Sequence, residues 1–218
     1  MRAVVKGTEP KSLVEHRCQL SADYENFADK DSLREQLVKE QRGLCCYCMA
    51  RITADSDRMK IEHWHSQSEF PHEQLIYGNL LAACRGVTQE TGNDRVSPTN
   101  QHCDTRKGNL CLSRNPASPA HRIEDDVHFD GEGWIRSMHG EFDRELNEVL
   151  NLNLNVLREN RREVLRAFTK TLGTRPLSRS RFQRLLADWN GDSDAGELRP
   201  YCQVVVYWLR KRLRRGAT

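Results

Sequence analysis

The residues able to do chemistry crowd into one stretch, Cys45 to Lys107. It reads Cys45-Cys46-Tyr47-Cys48, then Lys60-Ile61-Glu62-His63-Trp64, then Asn79-Leu80-Leu81-Ala82-Ala83-Cys84, then His102-Cys103-Asp104-Thr105-Arg106-Lys107. The spacing of Cys45 and Cys48 lets two thiolates reach one ion from a single turn. Cys84 and Cys103 would complete a tetrahedral four-cysteine zinc site, and four thiolates leave no open position for water, so such zinc is structural. The alternative is four buried thiols that pack and bind nothing. A CxxC joined by two more cysteines in motif-like surroundings favours zinc over packing, and metal over disulfides in a reducing compartment. His102 could take a ligand's place, and Cys46, inside the CxxC, could be ligand or filler. Cys18, Cys111 and Cys202 lack such neighbours and read as small buried apolar residues.

The order of these pieces resembles the HNH nuclease motif. In that family a ββα hairpin–helix unit holds one catalytic divalent metal and a zinc knuckle staples it. The sequence around the motif is similar to a narrower family, the HNH endonuclease subunit of Septu and retron-associated anti-phage systems. The opening Lys6-Gly7-Thr8-Glu9-Pro10 and the later Leu152-Asn153-Leu154-Asn155 followed by Arg158 and Arg161 carry that likeness.

The resemblance implies a division of labour. His63, second in the acidic-His pair, would be the general base, work that suits a neutral imidazole near pH 7. Glu62 and Asp104 would hold the catalytic ion, and their hard oxygens suit Mg²⁺ or Mn²⁺. The family more often has Asp or His at the position of Glu62, and His or Asn at that of Asp104. Asn79 matches the central Asn that holds the loop and orients the His. Lys107, one turn beyond Asp104, shares its helix face and could contact phosphate. Strand alternation puts residues 62 and 63 on opposite faces, so both serve one site only where the strand ends or bulges. Trp64 reads as core. His16, His65, His72, His121, His128 and His139 read as surface or satisfied histidines.

Other elements must position this stretch. A helix starting near Asp31, capped by Asp31 or Ser32, carries Leu33, Leu37 and Val38 inward and stops at Gly43. It delivers the chain into the CxxC turn. Met59-Lys60-Ile61 reads as a short strand, 65–78 and 85–101 as loops, and 100–110 as the short helix. Val127–Phe129 and Trp134–Arg136 read as two strands joined by a Gly-rich turn. Helices follow from Glu141, broken at 151–155, then to about Leu172, then Ser178 to Trp189, and a last one with Pro200 in its first turn. The expected fold is α+β, mostly helical. A small zinc-stapled ββα-metal core at 43–112 has a helical arm at 1–42, a β-hairpin-like connection at 113–140 and a helical region at 141–218.

A chain of 218 residues with 37% apolar and 30% charged residues suits a soluble protein able to bury a core. No apolar run is long enough to span a bilayer, and the first residues lack a signal-peptide pattern, so no membrane and a cytoplasmic location are the expectation. The net charge of +3 is too small by itself to prove a polyanion partner, although Arg210, Lys211, Arg212, Arg214 and Arg215 crowd near the end. The leading functional expectation is a metal-dependent nuclease acting on DNA in anti-phage defence. An RNase using the same pocket, cutting tRNA for example, and a non-catalytic zinc-knuckle module that binds nucleic acid or a protein partner are the alternatives. The resemblance implies a partner ATPase of the ABC/SMC-like type. In retron versions it implies a reverse transcriptase with its multicopy single-stranded DNA. Val204, Val205, Tyr207, Trp208 and Leu209 form an apolar face wider than one inward stripe, which could dock such a partner or pack inside the protein's own bundle.

Overall fold

A computed structural model describes residues 1–87, 97–173, 177–193 and 196–216. It is an α+β chain dominated by helices, with two small antiparallel two-stranded sheets. In chain order the elements are α1 (Lys11–Arg17), α2 (Lys30–Glu40), β1 (Met59–His63), β2 (Leu80–Cys84), α3 (Cys103–Lys107), α4 (Ile123–Asp126), β3 (Val127–Phe129), β4 (Ile135–Ser137), α5 (Gly140–Arg144), α6 (Asn155–Leu172), α7 (Arg179–Asn190) and α8 (Cys202–Arg214). No helix among the described residues is long and apolar enough to cross a membrane.

Helix α2 begins earlier than its sequence suggests. Asp29, not Asp31 or Ser32, is the cap, its side chain accepting from the Ser32 amide. An aspartate at this place satisfies an amide that no helical carbonyl reaches. Leu33 and Leu37 are fully buried, and Gly43 follows at φ +75°. From the same end Gln41 binds β2 through both its amide groups: Nε2 donates to the Ala82 carbonyl (2.7 Å) and Oε1 accepts from the Ala82 amide (2.7 Å). The helix that leads into the CxxC is thereby fixed to the strand that ends in Cys84.

β1 and β2 pair in an unbroken antiparallel register, from Met59 opposite Cys84 to His63 opposite Leu80. Short helical turns at Pro71–Glu73 and Tyr77–Asn79 shape the connection between them. Most of the long loop expected at 85–101 lies outside the described residues. Its two ends meet, Val87 bridging Gln101 and the His102 amide donating to the Gly86 carbonyl (2.8 Å). Gly86 sits at φ +68°, and a Cβ there would fall 2.1 Å from the His102 carbonyl oxygen, so only glycine permits this closure. The closure is what returns the chain to Cys103 beside Cys84.

The second half forms a helical layer. α5 runs on into a π-helical turn, Glu145–Val149, with the Leu150 amide bonded to the Glu145 carbonyl (2.9 Å). The turn aims buried Glu145 at Ser113, accepting from its amide and hydroxyl. Asn153 then binds the amide and carbonyl of Ile135, and buried Arg161 donates to the Gly133 and Leu152 carbonyls. The Leu-Asn-Leu-Asn turn and its arginine thus join β4 to α6. α7 is capped by Ser178 and ends at Gly191 in the left-handed region. α8 starts at Cys202, after Pro200 rather than on it, with Tyr201 at φ +55° as its cap.

α8 is a core helix. Val204, Val205, Val206 and Leu209 are at most 1% exposed. Tyr207 packs edge-on against His128 and Phe129, and Trp208 edge-on against Phe168 and tilted against Phe182. Of the two roles open for the broad apolar face of α8, partner docking or packing inside the protein's own bundle, the structure shows the second, with β3, α6 and α7 against it. The reason is geometric: α8 is packed from more than one side, so it needs more than one apolar stripe. Among the isolated cysteines, Cys202 is buried as expected, while Cys18 and Cys111 are exposed.

Candidate metal centre and adjoining acidic-histidine pocket

The CxxC forms a tight turn in which the Met49 amide returns to the Cys45 carbonyl (3.1 Å) and Met49 adopts φ +66°. Cys84 ends β2, and Cys103, at φ +54°, opens α3. These three places bring four sulfurs together: those of Cys45, Cys48, Cys84 and Cys103 all lie within 4.8 Å of one another. The Cys45–Cys103 and Cys48–Cys84 separations are 3.9 and 3.7 Å. A zinc ion with Zn–S bonds of about 2.3 Å needs S···S edges of about 3.8 Å. The donor set and its spacing therefore fit structural zinc. Burial pushes the Cys45 thiol up, but hydrogen bonds from Cys103 and the other cysteines outweigh it and hold Cys45 well below the usual thiol range. Cys48 is likewise drawn down to about 7, while Cys84 and Cys103 are held well above the usual range, so without an ion the cluster favours thiolate at Cys45 and Cys48 and thiol at the other two.

The neighbours of the cluster are resolved as well. His102 Nδ1 is 3.1 Å from the Cys103 sulfur and 4.0 Å from that of Cys84, at the flank of the four thiols rather than among them. Cys46 is buried, its thiol pushed up by desolvation, and it stands outside the group of four. The amides of Ala50 and Cys84 donate to the sulfurs of Cys48 and Cys45 (3.4 and 3.3 Å), the bonds that offset thiolate charge around a metal.

Beside this cluster lie the acidic-His pair and Asp104. β1 stays in register with β2 as far as its last residue, His63, with no bulge, and the charges of Lys107 and Asp104 still reach the His63 ring. Glu62 is 1% exposed. Its Oε1 accepts from the Tyr47 hydroxyl (2.7 Å) and pairs with the Lys107 ammonium (2.8 Å). Its carboxyl also hydrogen-bonds Asp104. Burial first, and then the bond and charge of Asp104, push Glu62 well above the usual carboxylate range. Asp104 is held low: burial would raise it, but the bond from Glu62 and the Lys60 ammonium, 3.2 Å away, prevail. Of the two carboxyls, Glu62 therefore takes up a proton more readily than Asp104, with the Lys107 ammonium acting against it.

The sequence suggests that Lys107 reaches out to phosphate. The structure instead buries it to 2% exposure, bonded to Glu62 and to the His63 carbonyl (2.9 Å). The five residues of α3 bring it directly beneath the end of β1.

His63 is also held on both ring nitrogens. Nε2 is 3.0 Å from the Gln74 carbonyl, to which only an N–H can bond, so Nε2 carries the proton. Nδ1 therefore keeps its lone pair and accepts from the Gln67 amide group at 3.2 Å. The Tyr24 ring meets the imidazole edge-on, with centroids 4.5 Å apart. Burial, against the pull of the Gln74 bond and helped by the Lys107 charge, draws the imidazole down to about 4. His63 is neutral at physiological pH. Asn79 fixes the loop that presents Gln74. Its Nδ2 donates to the carbonyls of His65 (3.0 Å) and Glu73 (3.2 Å), and its Oδ1 accepts from the His65 amide (2.8 Å).

Tyr24, Gln67, Gln74 and Tyr47 escape a reading of the sequence. Tyr24 comes from the remote arm and Gln74 acts through its backbone, neither of which leaves a spacing signal. Tyr47 lies inside the CxxC, where the cysteines absorb attention. Trp64 is half-buried, its indole donating to the Arg114 carbonyl. Neither protein-family models nor curated proteins yield a match to this chain.

Proposed function

We propose that the chain is a metal-dependent endonuclease of the HNH kind that hydrolyses phosphodiester bonds of DNA. The observation that supports the reading is a neutral, doubly anchored His63 near enough to Asp104 and Lys107 to feel their charges, next to the buried Glu62–Asp104 pair. A zinc-stapled binding module would need none of His63, Glu62 and Asp104. In this reading Glu62 and Asp104 would hold a Mg²⁺ or Mn²⁺ ion, Glu62 with the oxygen that Tyr47 and Lys107 leave free. Such an ion, when bound, neutralises charge on the scissile phosphate and the leaving oxygen. Lys107 and Tyr47 then act as positioning residues, fixing the Glu62 carboxylate by its other oxygen.

His63 is the general base. A water in the position now taken by the Gln67 amide donates a proton to Nδ1 as its oxygen attacks phosphorus. The bond to the leaving oxygen breaks, and the proton returns from the ring to solvent or to that oxygen. The Gln74 carbonyl stabilises the imidazolium in between, through the Nε2–H bond. Desolvation makes this imidazole a weaker base than a free one, and fixed orientation is what offsets that cost. The defence role, a partner ATPase and any retron partners rest on the sequence resemblance alone.

The test is nicking of supercoiled plasmid with added Mg²⁺ or Mn²⁺. Wild type should cut, and His63→Ala should lose about 10²–10⁴-fold in rate, with unchanged circular dichroism and zinc content. A His63→Ala protein cutting at the wild-type rate would end this mechanism. Cleavage of tRNA but not plasmid under the same conditions would move the substrate to RNA.

A further inference from the structure

The helical layer ends in a concentration of positive charge that none of the site chemistry uses. α7 begins with Arg179 and Arg181, and α8 finishes with Lys211, Arg212 and Arg214, followed by Arg215. All six are exposed. The two helix ends adjoin, Arg179 donating to the Leu213 carbonyl (3.3 Å). No carboxylate among the described residues forms an ion pair with any of the six, whereas Arg34, Arg162 and Arg166 on other helices each have at least one. Lys211, Arg214 and Arg215 line a groove of about 400 Å³. Its far wall carries Glu124 and Asp125, but Arg210 already pairs with Glu124 (3.0 Å) and Arg122 with Asp125 (2.5 Å).

The ordinary explanation of cations at a helix end is the macrodipole, which favours them at a C-terminus. It covers α8 and fails for α7. Arg179 and Arg181 stand at a helix N-terminus, where the dipole disfavours them. A cluster that gathers on both kinds of terminus is held there against its own repulsion, so it suits an external polyanion.

We propose that this basic end of α7 and α8 is a docking surface for the phosphate backbone of duplex DNA. The proposal rests on the nuclease reading for the choice of DNA, and it supplies the substrate affinity that a net charge of +3 does not. Backbone rather than base recognition follows from the aromatics. Tyr207 and Trp208 are engaged with core rings, and Arg212 lies over the Trp208 ring at 4.8 Å, so neither offers a free face to stack unpaired bases.

The test is fluorescence anisotropy of a labelled random-sequence duplex of about 20 base pairs, long enough to cross both helix ends. Every protein carries His63→Ala, and no Mg²⁺ is added, so binding is read without cleavage. Failure of the nuclease reading is seen separately in the plasmid assay. The triple change K211E, R214E and R215E should weaken binding at least tenfold. It should also flatten the dependence of log K on log salt by about one for each phosphate no longer neutralised. A control with the same charge change elsewhere, K11E, K39E and R144E, should bind nearly as the parent does. The glutamine triple at 211, 214 and 215, and the pair R179Q and R181Q on the other helix, should each weaken binding in the same direction. Unchanged affinity and salt slope in these folded variants would overturn the proposal. So would equal weakening by the control, which would reduce the effect to net charge. Tighter binding of single-stranded RNA would overturn it too, and tighter binding of polyglutamate would assign the surface to an acidic protein.

Discussion

The Lys107 ammonium lies 2.8 Å from Glu62 Oε1, and both side chains are 1% exposed. No other ion pair among the described residues is as deeply enclosed. A buried pair is costly to break from one side, because the remaining charge loses both water and partner. Its presence at the junction of β1 and α3 ties the acidic pocket to the end of the metal-bearing segment.

Removal of Lys107 therefore tests a positioning role. Lys107→Ala should destabilise the fold by about 3 kcal/mol. Adding Glu62→Gln should return part of that loss, since the carboxylate left behind is gone. Denaturant melts of the two single variants and the double variant measure the coupling. Strictly additive losses would mean that the pair does not interact in solution.

The four-thiol cluster predicts about one tightly held zinc per chain. Cys84→Ser should lower both the zinc content and Tm, and Cys46→Ser should leave the zinc content unchanged. Elemental analysis after gel filtration reads both. Full zinc retention in Cys84→Ser would remove Cys84 from the site.

The depressed His63 titration has a sign that can be checked. The folded state holds this group near 4, while the unfolded chain protonates it near 6.5. Between these values the unfolded state binds more protons, so stability rises with pH. The contribution is fully present above about pH 6.5 and is lost as pH falls toward 4. Tm should fall across that window, and the fall should be shallower in His63→Gln. Comparing the two proteins isolates His63 from Glu62, whose raised pKa acts with the opposite sign. Parallel Tm curves would contradict burial of a neutral His63.

Asn79→Ala removes three hydrogen bonds that hold the loop before β2. A loss of about 1–3 kcal/mol is expected, since buried amide partners are left unsatisfied. The Gln74 carbonyl should then hold the His63 ring less well, and NMR titration should show His63 moving back toward its free value. An unmoved titration would separate Asn79 from His63.

Truncation after Asn190 deletes Val204, Val205, Val206 and Leu209 from the core. The loss of a whole buried helix is comparable to the total stability of an ordinary domain, about 5–15 kcal/mol. The fragment should be insoluble or unfolded by circular dichroism. A soluble, zinc-bound fragment would show that residues 1–190 fold without α8.

The sequence alone was enough for what local rules control. A CxxC is a property of four consecutive residues, and the order Glu62-His63, Asn79, Cys103-Asp104 is written in one line. Most helices were equally legible, because apolar periodicity and caps such as Ser178 and Gly191 are local signals. Tertiary structure decided the rest. The meeting of Cys84 and Cys103 across a long loop needs the Gly86–His102 closure, which no spacing reveals. Whether Lys107 faces phosphate or Glu62 depends on where α3 docks under β1, and sequence supplies only its helical face. Whether the apolar side of α8 meets a partner or the protein's own α6 and α7 depends on how many neighbours surround it. Local residue patterns encode which side chains share a surface, and only long-range packing decides what lies against it.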